Sequence, residues 1–227
     1  MTMNVNLAWQ TSILCIAVVD DRIVANNYSL CIDFITNTVD SRHQNIAFER
    51  MKFMLSKIFD QSIFISATNK LLPKIADLSP TNLVILPEEG YDQVINLALY
   101  CKLNSIMEGK LLVEAMSISS TVNNDITYSF GEDDNLGPFA VHHRKKAKPW
   151  WLRPDLRTTD AEEGHFPIDG WADIGLSFEQ LAPSRPNVKG KKKVDNTVKA
   201  SYNKPNTPQI IGFNPEVIAG GKTTDAD

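Results

Sequence analysis

Through the first 130 residues, apolar positions alternate with polar ones or run together in short blocks, and each block's period predicts an element. The stretch SILCIAVVD (12–20) is a continuous apolar run rich in β-branched residues, the pattern of a strand buried on both faces. In YSLCIDFIT (28–36), Tyr28, Leu30, Ile32 and Phe34 fall on one side and Cys31, Asp33 and Ile35 on the other. A second strand, paired with the first as a hairpin, follows. Asn26-Asn27, suited to left-handed backbone angles, marks the turn between them.

The period changes over 41–61. Ala47, Met51, Met54/Leu55 and Ile58 recur at helical spacing, while Glu49, Lys52, Ser56 and Lys57 fall mostly outside that stripe. Ser41, with Gln44 three residues on, is the expected N-cap. SIFISA (62–67) reads as a short strand, and NKLLPKIADLS (69–79) as one turn or a helix broken by Pro73. TNLVILP (81–87) is another buried strand. EEGYDQVINLALYCKLNSIMEG (88–109) is a helix with Val94, Leu97, Ala98, Cys101 and Ile106 on one stripe and Gly109 at its C-cap. KLLVEAMSISST (110–121) and DITYSF (125–130) are strands joined by the turn-forming VNND. The expected fold is α+β: a two-layer domain, its mixed β-sheet covered on one face by two main helices, followed by a long irregular Pro-rich C-terminal arm.

Three regions result. Residues 1–135 form the α+β body, 136–183 an extended aromatic-anchored segment docking on the body or on a partner, and 184–227 a flexible segment of disordered composition. Nine of the 12 prolines lie beyond residue 137, where helical periodicity stops. Apolar islands interrupt the arm at Trp150-Trp151, FPIDGWADIGLSF (166–178) and IIGFNPEVI (210–218). Large apolar residues in so Pro-rich a chain are expected to dock somewhere. Charge divides at the same place: residues 1–140 carry a net −7, and the remainder +3.

These totals argue against a globally basic, nucleic-acid-coating protein. Cys15, Cys31 and Cys101 are odd in number and set among apolar residues, which fits a reduced intracellular protein better than a disulfide scaffold. No signal peptide is expected, because the apolar run 11–19 has no Lys or Arg before it, and it is too short to span a membrane.

Candidate chemistry is sparse. Arg144, Lys145, Lys146 and Lys148 stand beside Trp150 and Trp151, the ingredients of a single-strand binder, and Lys191, Lys192 and Lys193 form a second basic cluster. Adjacent tryptophans in an extended chain point to opposite sides, so the favoured reading is a linker pinned by its indoles. His142 and His143 diverge for the same reason, and a metal site would need His43 or His165 from elsewhere; none is expected. Glu88, Glu89 and Asp92 open the second helix, where acidic residues favour the helix dipole more often than they do acid–base work. GGKTT (220–224) imitates a phosphate loop, but position 216 is Glu216 and no helix can follow. No nucleophile has a visible partner, and nothing calls for a cofactor.

The stretch LPEEGYDQVINLALYCKLNSIMEGKLLVEAMSISSTVNNDITYSF, followed by GPF and then WW, resembles a small protein of large T4-like tailed phages. Asp92, Gln93, Lys102, Leu103, Asn104, Glu108, Gly109 and Trp150-Trp151 carry the resemblance, with WADIGLSF (171–178) resembling a later segment. It spans roughly 28–178 and implies a phage context, in the cytoplasm of an infected host, without implying an activity. The combined expectation is a non-enzymatic phage accessory protein. It docks on a phage or host protein through its body and through Trp150, Trp151, Phe166, Trp171 and Phe178. The alternative is a nucleic-acid-binding accessory protein using 144–148 and 189–193. Self-association through the arm is a further option, and no membrane partner is expected.

Overall fold

Two aspartates make the first turn. Asp20 and Asp21 both hold positive φ, 49° and 59°, the left-handed pair that a two-residue hairpin needs. They join β1 (Asn6–Val19) to β2 (Arg22–Thr36) in unbroken antiparallel register from Asn6↔Ile35 to Val19↔Arg22. The turn expected at Asn26-Asn27 is therefore displaced, and both asparagines lie inside β2. Asn26 is buried, its Oδ1 accepting from Thr121 Oγ1 and the Val122 amide. The computed structural model describes residues 6–78, 83–140, 148–160, 168 and 170–179.

α1 (Ser41–Phe53) is capped one residue earlier than expected, because the Asp40 carboxylate accepts from the Arg42 amide at 2.9 Å. Past Met54 the helix widens into i→i+5 turns over Met54–Phe59, closed by the Asp60 amide on Leu55 O. β3 (Ile63–Ser66) follows, then α2 (Leu72–Leu78), β4 (Leu83–Leu86), α3 (Asp92–Ile106), β5 (Leu111–Ser120) and β6 (Thr127–Gly131). Pro73 does not break α2. It occupies the helix's second position, where a missing amide proton costs nothing. Gly109 takes φ of 69° beyond α3, as its expected role at the helix end requires.

The six strands run in the order β4-β3-β1-β2-β5-β6. β3 pairs parallel with both β1 and β4, and the other pairs are antiparallel, so the sheet is mixed. A bulge between Asp33 and Phe34 shifts the β2–β5 register. α1 and α3 bury one face against Ile13, Cys15, Ala17, Tyr28, Leu30 and Ile32. The α+β class and the two main helices on one face are as the periodicity predicts. β1 is not buried on both faces along its whole length: Leu14 remains 54% exposed, because only the far end of the strand is covered twice. There, α2 closes a small second cluster of Val18, Ile65, Ile75 and Leu83 on the opposite face.

Candidate functional site

The arm lands on the body. Trp150–Leu152 form a single tight helical turn, not an extended strand, so Trp150 and Trp151 share a side and meet edge-to-face at 5.7 Å and 86°. Both are buried in the main core. Trp150 packs on Phe59 and Trp151 on Phe139, whose carbonyl accepts the Trp151 indole proton. The arm also completes the outer edge of β4. Trp150 Nε1 donates to Ile85 O at 2.7 Å, the Ile85 amide donates to Thr158 O at 3.0 Å, and Thr158 Oγ1 donates to Leu83 O at 2.6 Å. These outward groups would otherwise form an open strand edge.

Two cations fix the arm from below. Lys102 is fully buried on α3, and its Nζ donates to Trp150 O and Arg153 O at 3.0 Å each, with Asp155 Oδ1 at 3.4 Å. Burial pulls its pKa down to about 7, with Asp155 opposing. Arg50 is buried on α1 and donates to Leu176 O, Ile106 O and Glu108 Oε1. Its guanidinium lies 3.9 Å from the Phe178 ring centroid and 4.8 Å from that of Trp171. Trp171 is buried, its Nε1 donating to Pro154 O. Phe178 is half-buried against the edge of His43.

Of the five residues expected to dock on a partner, Trp150, Trp151 and Trp171 are thus consumed by this chain, and Phe178 is partly so. Phe166 lies outside the described residues, as do Arg144, Lys145, Lys146, Lys191, Lys192 and Lys193. Lys148 is exposed. With both indoles buried, neither offers a base-stacking surface beside it. His142, His143, His165 and the 220–224 stretch also fall outside the described residues; among those described, no group of three or more His, Cys, Asp or Glu could hold a metal. All three cysteines are free, and burial pushes the thiols of Cys15 and Cys101 up to about 12.

The three carboxylates diverge. α3 begins at Asp92, so Glu88 and Glu89 precede it. Gly90 is pressed so close to the sheet that a Cβ there would meet Val18 O at 3.3 Å. Glu88 is exposed, and Glu89 faces Asn69 Nδ2 at 3.4 Å. Asp92 is buried and accepts from Ser120 Oγ at 2.6 Å and Asn123 Nδ2 at 2.7 Å, tying the start of α3 to the β5–β6 turn.

A different surface is left open. Leu14 and Ile16 of β1 turn their backbone groups toward the β3 side: Leu14 N meets Asp60 Oδ1, Leu14 O accepts from the Gln61 amide, and Ile16 N donates to Ser62 O. Strand alternation turns Asn6, Ala8, Gln10 and Ser12 the same way, and no described strand pairs with them there. Beside this edge lies an apolar groove of about 330 Å³ bounded by Leu7, Trp9, Phe34, Phe48 and Leu111, with Gln44 at its rim. Trp9 and Phe48 meet edge-to-face at 5.3 Å. Sequence reading missed this site because NLAWQ shows too short an alternation to announce a strand. The odd-numbered Leu7 and Trp9 do continue the parity of Ile13 and Cys15.

No family model and no curated protein matches the chain. Among solved structures, it is similar to an uncharacterized protein from Wolinella succinogenes at 12% identity and a TM-score of 0.43, over 58% of this chain and 100% of that one. It is also similar to 6-pyruvoyl tetrahydropterin synthase from Plasmodium vivax at 10% identity and a TM-score of 0.37, over 57% and 98%. Likeness at this level carries no argument about activity. Among the described residues, no helix is long and apolar enough to cross a membrane.

Proposed function

We propose that the chain is a protein-docking module, not a catalyst, and that it takes an extended segment of a partner protein onto the free half of β1. The supporting observation is the contrast between two edges of one sheet. The chain's own arm closes β4 with three hydrogen bonds, whereas β1 presents the outward groups of Asn6, Ala8, Gln10 and Ser12 beside an apolar groove. A strand added there gains main-chain hydrogen bonds for affinity, and every second side chain can enter the groove for specificity. The phage resemblance makes a phage or host protein the first partner to test. The nucleic-acid alternative rests on the basic clusters alone, since the tryptophans beside the first are buried.

Peptide-library selection against the full-length chain tests the reading. Enriched peptides should carry apolar residues at alternate positions. Ala8→Pro deletes one outward amide proton at an edge position, where proline is tolerated, and should weaken those peptides about tenfold or more with little change in melting temperature. Absence of enrichment, or equal binding by Ala8→Pro, rejects the reading.

A further inference from the structure

The sheet face turned away from α1 and α3 has an unusual composition. Register aligns Ser12, Ser29, Ser119 and Thr127 across four strands, with Gln10, Cys31, Ser117 and Ser129 in the adjoining row. Toward the hairpin tip the same face carries Leu14, Ile16 and Ile23, of which Leu14 is 54% and Ile23 62% exposed. Neither row contains a charge; Asp33 and the bulge residue Glu114 stand at the far end. Depletion of charge is one compositional feature of an interface centre, here in hydroxyl-rich rows without the aromatic residues that usually accompany it, so the apolar contacts fall to the hairpin-tip residues.

What could cover it is constrained by charge and area. The two rows offer no cation to a phosphate, and a strongly charged partner would lose hydration there without a counter-charge. Residues 1–140 carry a net −7, so two copies of the body repel unless they approach through a neutral surface. This face is such a surface, and a two-fold axis pairs it with itself. About twenty outward positions in β1, β2, β5 and β6, at about 32 Å² each from the strand spacing and side-chain repeat, project about 640 Å². That approaches the ~800 Å² per partner of a standard interface. We propose that two copies of the chain pack face to face here as a two-fold dimer, with Leu14, Ile16 and Ile23 supplying its apolar contacts. The depression of about 630 Å³ over the hydroxyl rows leaves room for the water that such interfaces hold.

The proposal is independent of β1's edge. Sedimentation of the full-length chain should give twice the monomer mass at high concentration and the monomer mass on dilution. Ser29→Lys and Leu14→Asp alter exposed positions and place like charges across the axis. Each should raise the dimer dissociation constant about tenfold or more while melting stays near that of the parent. Ala8→Pro should leave the dimer intact. A chain that is monomeric at every concentration overturns the proposal, as does a dimer indifferent to both charged variants. A dimer lost only in Ala8→Pro would also overturn it, by placing the contact at the strand edge.

Discussion

The indole of Trp150 hydrogen-bonds the carbonyl of Ile85 at 2.7 Å, so a residue 65 positions further along the chain completes the outer edge of the sheet. The ring is also fully buried against Phe59. Trp150→Phe keeps most of the packing but orphans the carbonyl, and should cost about 1–2 kcal/mol. Trp150→Ala removes both and should cost about 3–5 kcal/mol. Urea unfolding of the full-length variants measures the difference. Equal costs would mean that the packing adds nothing beyond the hydrogen bond, and a Trp150→Phe variant as stable as the parent would mean that the hydrogen bond contributes nothing.

Arg50 holds the 171–178 segment through a carbonyl bond to Leu176 and two aromatic faces. Arg50→Met leaves buried carbonyls without donors and should lower stability by about 2–4 kcal/mol. It should also open cleavage by chymotrypsin near Trp171, Leu176 and Phe178. Glu108→Gln removes the charge of a partner that is 44% exposed but keeps an acceptor for the buried Arg50, and should cost less than Arg50→Met without exposing those sites. Matching digestion patterns in the two variants would place the anchor elsewhere.

These two cations show where sequence reading stops. Periodicity locates all six strands and both main helices, because one buried face leaves a regular imprint. It misassigns α3 as a one-stripe helix, although its buried residues run from Asp92 to Ile106. The arm covers the side that a stripe would leave wet, and no local pattern encodes a segment arriving from 48 residues away. Lys102, one residue after Cys101, therefore looks like a solvated charge until the arm is in place. Lys102, Asn104 and Glu108 enter the sequence reading only as carriers of a resemblance, and Asp92 beyond that only as an acidic residue at a helix start. In the structure each ties helix to strand, turn or arm. The open edge and the neutral face were illegible for another reason: both are defined by which strands neighbour one another, and order across a sheet is a long-range property.

The hairpin tip offers a stabilising substitution. Asp20 and Asp21 both occupy left-handed backbone, which costs a residue with a Cβ about 1 kcal/mol or more. Asp20→Asn with Asp21→Gly installs the pair most favoured for such a turn and should raise stability by about 1 kcal/mol. A gain in thermal unfolding temperature checks it. A loss would show that the Tyr91 hydroxyl bond to Asp20 or the Lys70 contact with Asp21 outweighs the backbone.

The pH dependence of stability should carry the signature of Lys102. Its pKa falls from 10.5 to about 7 on folding, chiefly through burial. Between those values the unfolded chain holds a proton that the folded chain has released, so Lys102 makes stability rise as pH increases from about 7 toward 10. Below about 7 both states are protonated and the full cost of burying the charge remains. Cys15 and Cys101 act oppositely. Their thiols ionise near 9 when unfolded and near 12 when folded, so stability falls as pH rises above about 9. The melting temperature should therefore peak near pH 9. Lys102→Met should flatten the limb between pH 7 and 9 while retaining the fall above it, even if losing the bonds to Trp150 O and Arg153 O lowers the whole curve. An unchanged rising limb in Lys102→Met would assign it to other groups and show that the lysine is buried without being discharged.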